Sequence, residues 1–257
     1  MKKHLYYKTV VGRKNPLTEK LQDFFLSISS YPMLLVEVFL RRNMGERYFS
    51  LSHAVKLAVV LLLVPTVLHF TSGQDWGETM KSFWSMYLFA GLFIWFAHKR
   101  YKETCRPASE FDFSRYSLSA GDVFPFFKSV KQADDSTNYR KIEILLEPLL
   151  ILAAGVLLLL MAQFLMGGML VLTAIIYHQH YDIAYKQGDE FVLDMIDEMI
   201  VNRDFSRDFI HDETSSTGFR TRFTKKPSLK ELREELNNRI DKLSGNDDED
   251  DDAALVA

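Results

Sequence analysis

Carboxylates set in apolar surroundings are the first residues of this chain whose type and placement imply chemistry. Glu143 and Glu147 stand one helical turn apart at the opening of a stretch, Ile144 to Tyr177, that holds no Lys or Arg. A carboxylate inside a membrane span is costly and is usually kept for a function, and Glu147 would then face a polar cavity or pair with another subunit. Near the edge of a span, ordinary interfacial solvation accounts for Glu147 more cheaply. Gln163 and the pair Gly167-Gly168 interrupt the same stretch further on. Glu147, Gln163 and His178 are therefore the candidate polar groups within or beside the membrane.

His178 and Asp182 share a helical face, with His180 pointing elsewhere and Glu190 further along. Two ligands do not make a metal site, so neither a metal nor a cofactor is expected. The chain carries no Gly-rich phosphate loop, CxxC pair, HExxH or GxSxG. No residue is assigned to catalysis, and the expectation is a protein that is not an enzyme.

The elements that would position these groups follow from segregated charge. The net charge of -3 averages a basic N-terminal stretch (Lys2, Lys3, Lys8, Arg13, Lys14, Lys20, Arg41, Arg42, Arg47) and an acidic run from Asp247 to Asp252. Between them lie stretches nearly free of charge, a pattern of membrane proteins. The first predicted span, Ala54 to Thr71, is about 27 Å long as a helix, near the hydrocarbon thickness. Ser52 is placed to cap it, and Pro65 is expected to kink it. The second runs from Met80 to Ala97, followed by His98-Lys99-Arg100-Tyr101-Lys102. Basic residues flank both outer edges of this hairpin, which puts the N-terminus and the segment after Ala97 in the cytoplasm.

Ile144 to Tyr177 is long for one span and short for two. A tight hairpin, Leu145 to Met161 and then Phe164 to Tyr177, is favoured over a single long helix. The first long apolar run begins some fifty residues in, so the spans should act as their own targeting signals. Cys105 is alone and can form no disulfide within the chain.

Outside the spans, Leu17 to Phe39 has helical apolar spacing with a break at Tyr31-Pro32, suiting a helix on the membrane surface or against the cytoplasmic part. Residues 107–140 read as a connector. Tyr177, Tyr181 and Tyr185 form an i, i+4, i+8 stripe suited to the headgroup layer. Val192, Met195, Ile196, Met199 and Ile200 continue a helical face beyond it. Ser228-Leu229-Lys230-Glu231 reads as a capping box, followed by Leu229, Leu232, Leu236, Ile240 and Leu243 and closed by Gly245. So short a helix must dock its stripe on this chain, a second copy or a partner. Arg47-Tyr48-Phe49-Ser50-Leu51-Ser52 and Arg115-Tyr116-Ser117-Leu118-Ser119 echo each other faintly. The terminal Ala253 to Ala257 resembles the end of the peptide tag that marks stalled bacterial translation products.

The expected fold is an all-α integral membrane protein with two transmembrane helical hairpins, four spans, and cytoplasmic amphipathic helices. Its regions are a basic N-terminal part (1–53), a first hairpin (54–97), a connector (98–143), a second apolar region (144–177), a helix extension and linker (178–226), a partner-docking helix (227–245) and a disordered acidic tail (246–257). The expected role is a scaffold in a bacterial inner-membrane assembly of secretion, conjugation or envelope type. The partners are membrane lipids and proteins, a second copy among them, rather than nucleic acid. A small oligomeric transporter or channel is the alternative, and a membrane-bound metal-dependent enzyme comes third.

Overall fold

The computed structural model describes residues 3–12, 16–72, 75–105, 116–129, 137–213, 215–221, 225–240 and 242. The acidic run, the terminal Ala253 to Ala257, Leu243, Gly245 and Arg115 lie outside the described residues. The described chain is helical: α1 (Lys3–Val11), α2 (Pro16–Leu40), α3 (Leu51–Ser72), α4 (Trp76–Ser82), α5 (Trp84–Thr104), α6 (Tyr139–Lys141), α7 (Glu147–Leu160) and α8 (Phe164–His211). A 3₁₀ turn covers Pro125–Ser129, and a π-helical stretch, Ile142–Leu146, joins α6 to α7. The chain divides into two compact units, Lys20–Tyr185 and a second one made of Met1–Glu19 with Lys186–Ala257.

Three stretches are long and apolar enough to cross a membrane, Leu17–Leu40, Leu51–Thr71 and Tyr139–Leu160, and the bent pair α4 and α5 makes a fourth candidate. At most 39 % of the most apolar part of the three single helices is buried inside the chain. Val55, Val59, Leu63 and Val67 of α3 and Leu88, Leu92 and Trp95 of α5 are exposed. Apolar side chains turned outward on helices whose backbone bonds are internally satisfied are what a hydrocarbon solvent demands. The chain is a multi-pass helical membrane protein.

In the Lys20–Tyr185 unit, α3 and α5 pack along faces of small and apolar residues. Ala54, Ala58 and Leu61 are buried on one; Met86, Ala90, Phe93 and Ala97 on the other. Small residues let two helices approach closely where no hydrophobic driving force separates lipid from protein. The second apolar region is a hairpin: α7 ends at Leu160, Ala162 takes a positive φ of 59°, and α8 starts at Phe164. The single-helix alternative is thereby excluded. The two legs touch at glycines, for a Cβ on Gly155 would lie 3.1 Å from the Gly167 carbonyl oxygen, and one on Gly167 would lie 2.8 Å from that of Gly155.

Several boundaries differ from those read in the sequence. The chain bends by 69° between α4 and α5, at Phe83, so Met80 to Ser82 belong to α4 and the expected Met80 to Ala97 helix is broken in two. Thr79 explains this: it bonds to the Asp75 carbonyl and to His69 at the end of α3, holding α4 across that end. Helix α3 starts one residue before the expected cap at Ser52, its first bond running from Ala54 N–H to Ser50 O. Helix α2 passes through Pro32 without the expected break. Residues 42–47 run antiparallel to 117–122, with Gly45 N–H on Ser119 O and Arg47 N–H on Ser117 O. Arg47 of the first echoing sequence thus meets Ser117 of the second, beside an approach so close that a Cβ on Gly45 would fall 2.2 Å from Ser117 O.

In the other unit, the end of α8 holds the returning chain by a ladder of aspartates at four-residue spacing. Asp204 accepts from Ser215 and Thr217; Asp208 accepts from Thr221 N–H at 2.6 Å; Asp212 meets Lys226 at 3.0 Å and Arg233 at 2.6 Å. Phe205, Phe209 and Ile210 form the apolar cluster beside it, with Tyr7, Phe219 and Ile240 packed on. The C-terminal helix runs over 230–240, its first bond from Arg233 N–H to Leu229 O. That start lies a residue later than the capping box implied. Ile240 docks, but Leu229, Leu232 and Leu236 stay exposed. Arg233 and Asn237 occupy the inward face instead, because Arg233 reaches Asp212 and the Pro227 carbonyl.

All three aspartates titrate below the usual carboxylate range. Hydrogen bonds from Arg203, Ser215 and Thr217 lower Asp204; at Asp208, burial raises the value but the Thr221 and Lys226 contacts outweigh it; Arg233 and Lys226 lower Asp212. A folded-state value below the unfolded one contributes stability that is present above the unfolded pKa and lost as pH falls through the folded one. This unit should therefore loosen in acid, below the ordinary aspartate value of 3.8. Asp208→Asn should weaken it at neutral pH and flatten that acid dependence, as followed by hydrogen exchange of residues 204–221.

Candidate functional site

The site is built where α2 crosses one end of the bundle. Within ten residues α2 meets three terminal turns: Tyr31 lies against His53 at the start of α3, the Val38 carbonyl accepts from Arg100 Nε near the end of α5, and Arg41, just past α2, bonds to Glu147 at the start of α7. A helix parallel to the bundle would leave that end by about 1.5 Å per residue. This part of α2 therefore lies across it, with Met33, Leu34, Leu35 and Val38 buried.

Glu37 and Arg41 follow at i, i+4, and both are buried. The Arg41 guanidinium reaches Glu147 Oε2 at 2.7 Å and Glu143 Oε1 at 3.1 Å. It also lies 4.9 Å from the ring centre of Tyr181 and 5.9 Å from that of Tyr177, a cation–π arrangement. The two glutamates present one face because they stand four residues apart across the junction of the π-helical stretch with α7; single π turns are frequent at functional sites.

The tyrosine stripe turns inward, each hydroxyl serving one carboxylate. Tyr177 donates to Glu147, Tyr181 to Glu37 at 3.3 Å, and Tyr185 to Glu143 at 2.6 Å. Tyr48 donates a second bond to Glu37 Oε1, at 2.8 Å. Burial and then the Glu143 bond push the Tyr185 phenol above its ordinary value. His180 bonds to Ser29 at 2.6 Å, and burial, with Arg41 nearby, lowers its value below that of a free imidazole.

Glu147 is thus fully enclosed, not solvated at an interface as the sequence suggested; the partner that permits this arrives from α2, 106 residues earlier. His178 bonds to the Ile144 carbonyl at 2.6 Å. Gln163 lies at the far end of the bundle, accepting from Ser85 at 2.6 Å, and is not brought near Glu147. Among the described residues no group of three or more His, Cys, Asp or Glu is arranged to hold a metal ion. Sequence reading missed Glu37, Arg41 and Tyr48 as members of the site. One signal was available: Glu37 is the lone acid in Met33 to Leu40, one turn before Arg41.

The cluster gathers three carboxylates around one enclosed guanidinium. A cavity of about 460 Å³ opens beside it, lined by Glu37, Arg47, Tyr48, His53, Leu118 and His180 among others. No protein-family model, curated protein or solved structure matches this chain.

Proposed function

We propose that this chain is a non-enzymatic, multi-pass component of a larger bacterial inner-membrane assembly, anchoring it and presenting helices to protein partners in the cytoplasm. One observation carries the reading. In its charged second half, α8 exposes Phe191, Val192, Leu193, Met195, Ile196 and Met199, the last 71 % accessible. A row of large apolar side chains of this extent on a helix that also carries Asp189, Glu190, Asp194, Asp197 and Glu198 marks a surface made to be covered by protein. The basic residues Arg42, Arg47, Lys99, Lys102, Arg140 and Lys141 flank the ends of α2, α5 and α7, which favours placing that end of the bundle in the cytoplasm.

Purification at native expression level in mild detergent should retain protein partners, and Met195→Asp with Met199→Asp should reduce their recovery at least tenfold while leaving the chain in the membrane. A lone monomer without partners would overturn the reading. Buried Glu147 invites a second reading, a small transporter. Ion or solute flux by the chain alone in liposomes would favour it.

A further inference from the structure

The charges of the buried cluster do not balance within it. Glu37, Glu143 and Glu147 surround Arg41, and the guanidinium is divided between Glu147 and Glu143. Glu37 is 2 % exposed and has two neutral hydroxyls, Tyr48 and Tyr181, both on Oε1. Its Oε2 has no hydrogen-bond partner among the described residues. A cation brought beside so enclosed a carboxyl group stabilises its charged form, and Glu37 lines the 460 Å³ cavity where one can enter.

The rest of the lining says what kind of cation. Arg47, which is exposed, lines the same cavity, with His53 on the first turn of α3. Met33, Leu34 and Leu118 give it apolar wall. The cavity therefore offers a buried carboxyl group, an exposed guanidinium and an apolar wall. It lies beside the first turn of α3, a helix apolar enough to cross a membrane, and Tyr31 and Tyr48 line it, aromatics of the kind enriched at membrane interfaces.

We propose that this cavity takes a phosphoethanolamine-type zwitterion, its primary ammonium on the Glu37 carboxylate and its phosphate against Arg47. An ammonium with three N–H donors can bond to Oε2 and sets a positive charge beside it, whereas a quaternary ammonium has no donor to give. Arginine suits the phosphate through its planar fork of donors. The same chemistry is carried by a phosphatidylethanolamine headgroup at the bilayer surface and by the free phosphoethanolamine ion.

Native mass spectrometry of the full chain, delipidated in mild detergent and titrated with single lipids, tests this. Phosphatidylethanolamine should bind at least tenfold more tightly than phosphatidylcholine or phosphatidylglycerol. Glu37→Gln and Arg47→Ala should each abolish that preference while leaving phosphatidylcholine binding unchanged. Arg47 is exposed, so its variant carries the test even where Glu37→Gln fails to fold. Free phosphoethanolamine is titrated in parallel. Selective binding of the lipid alone assigns the site to the headgroup, and selective binding of the free ion, lost in Arg47→Ala, assigns it to the soluble form. Equal affinity for all three lipids with no binding of the free ion, or variants that keep the wild-type preference, would overturn the proposal.

Discussion

Arg41→Met should be the most damaging single substitution in the chain. The guanidinium is wholly enclosed and bonds to a Glu147 carboxylate that is itself 0 % exposed. Removing one partner of such a pair leaves the other as an uncompensated buried charge, at a cost of about 3–5 kcal/mol. In a chain of this size that corresponds to an apparent melting temperature lower by roughly 10 °C. Fluorescence-detected size exclusion after heating in detergent would read it. Adding Glu147→Gln should restore a large part of the loss, since the orphaned carboxylate is then gone. A peripheral role for the pair would show instead as a single variant that melts with the wild type. Arg42→Met supplies the matched control, for Arg42 is exposed and lies over the Phe124 ring at 6.0 Å.

Gly167→Leu should follow closely. At Gly167 even a methyl group would stand 2.8 Å from the Gly155 carbonyl oxygen and 2.9 Å from the Leu159 backbone nitrogen, so backbone must move to admit it. Overpacking of this kind costs about 1–3 kcal/mol for a modest excess and more for a bulky chain. The hairpin legs α7 and α8 would be pried apart, and with them Glu147 from Tyr177. Gly168 is the internal control. A Cβ there meets nothing within 4 Å, so Gly168→Ala should be neutral or slightly stabilising, as expected for a helical glycine. Disulfide trapping between cysteines introduced at Leu152 and Ala174, which line one small cavity between the legs, offers a second readout, with yield falling in Gly167→Leu only. Equal stability of the two glycine variants would contradict the close approach of the legs.

These two predictions fall on opposite sides of what could be read before the fold was known. The pair Gly167-Gly168 stood out in the sequence as an interruption, yet nothing local separates the glycine that must be small from the one that need not be. That distinction belongs to the neighbouring helix. Arg41 was legible only as one of several basic residues beside an apolar stretch, and Glu147 as an acid near a span edge. Their pairing joins residues 106 apart. The tyrosine stripe was visible as a periodicity, but its direction was not. Period alone places Tyr177, Tyr181 and Tyr185 on one face; what lies opposite decides whether that face meets headgroups or carboxylates.

The leucines of the last helix make the same point in reverse. Their spacing foretold a docking face, but Arg233 bonded to Asp212 turns a different side inward and leaves Leu229, Leu232 and Leu236 outside. A charged hydrogen bond with defined geometry outweighs an apolar stripe that can be covered equally well by another molecule.

By itself, then, the sequence determined that this is a helical chain made for lipid, and roughly where it turns. Hydrocarbon demands long uncharged runs with internally satisfied backbones, and such runs are local enough to be read residue by residue. The tertiary structure alone decided where α2 lies, which carboxylates Arg41 holds, and that Glu37 is left facing a cavity. Those outcomes depend on which helices meet, and contacts between distant segments leave no periodicity in the chain that makes them.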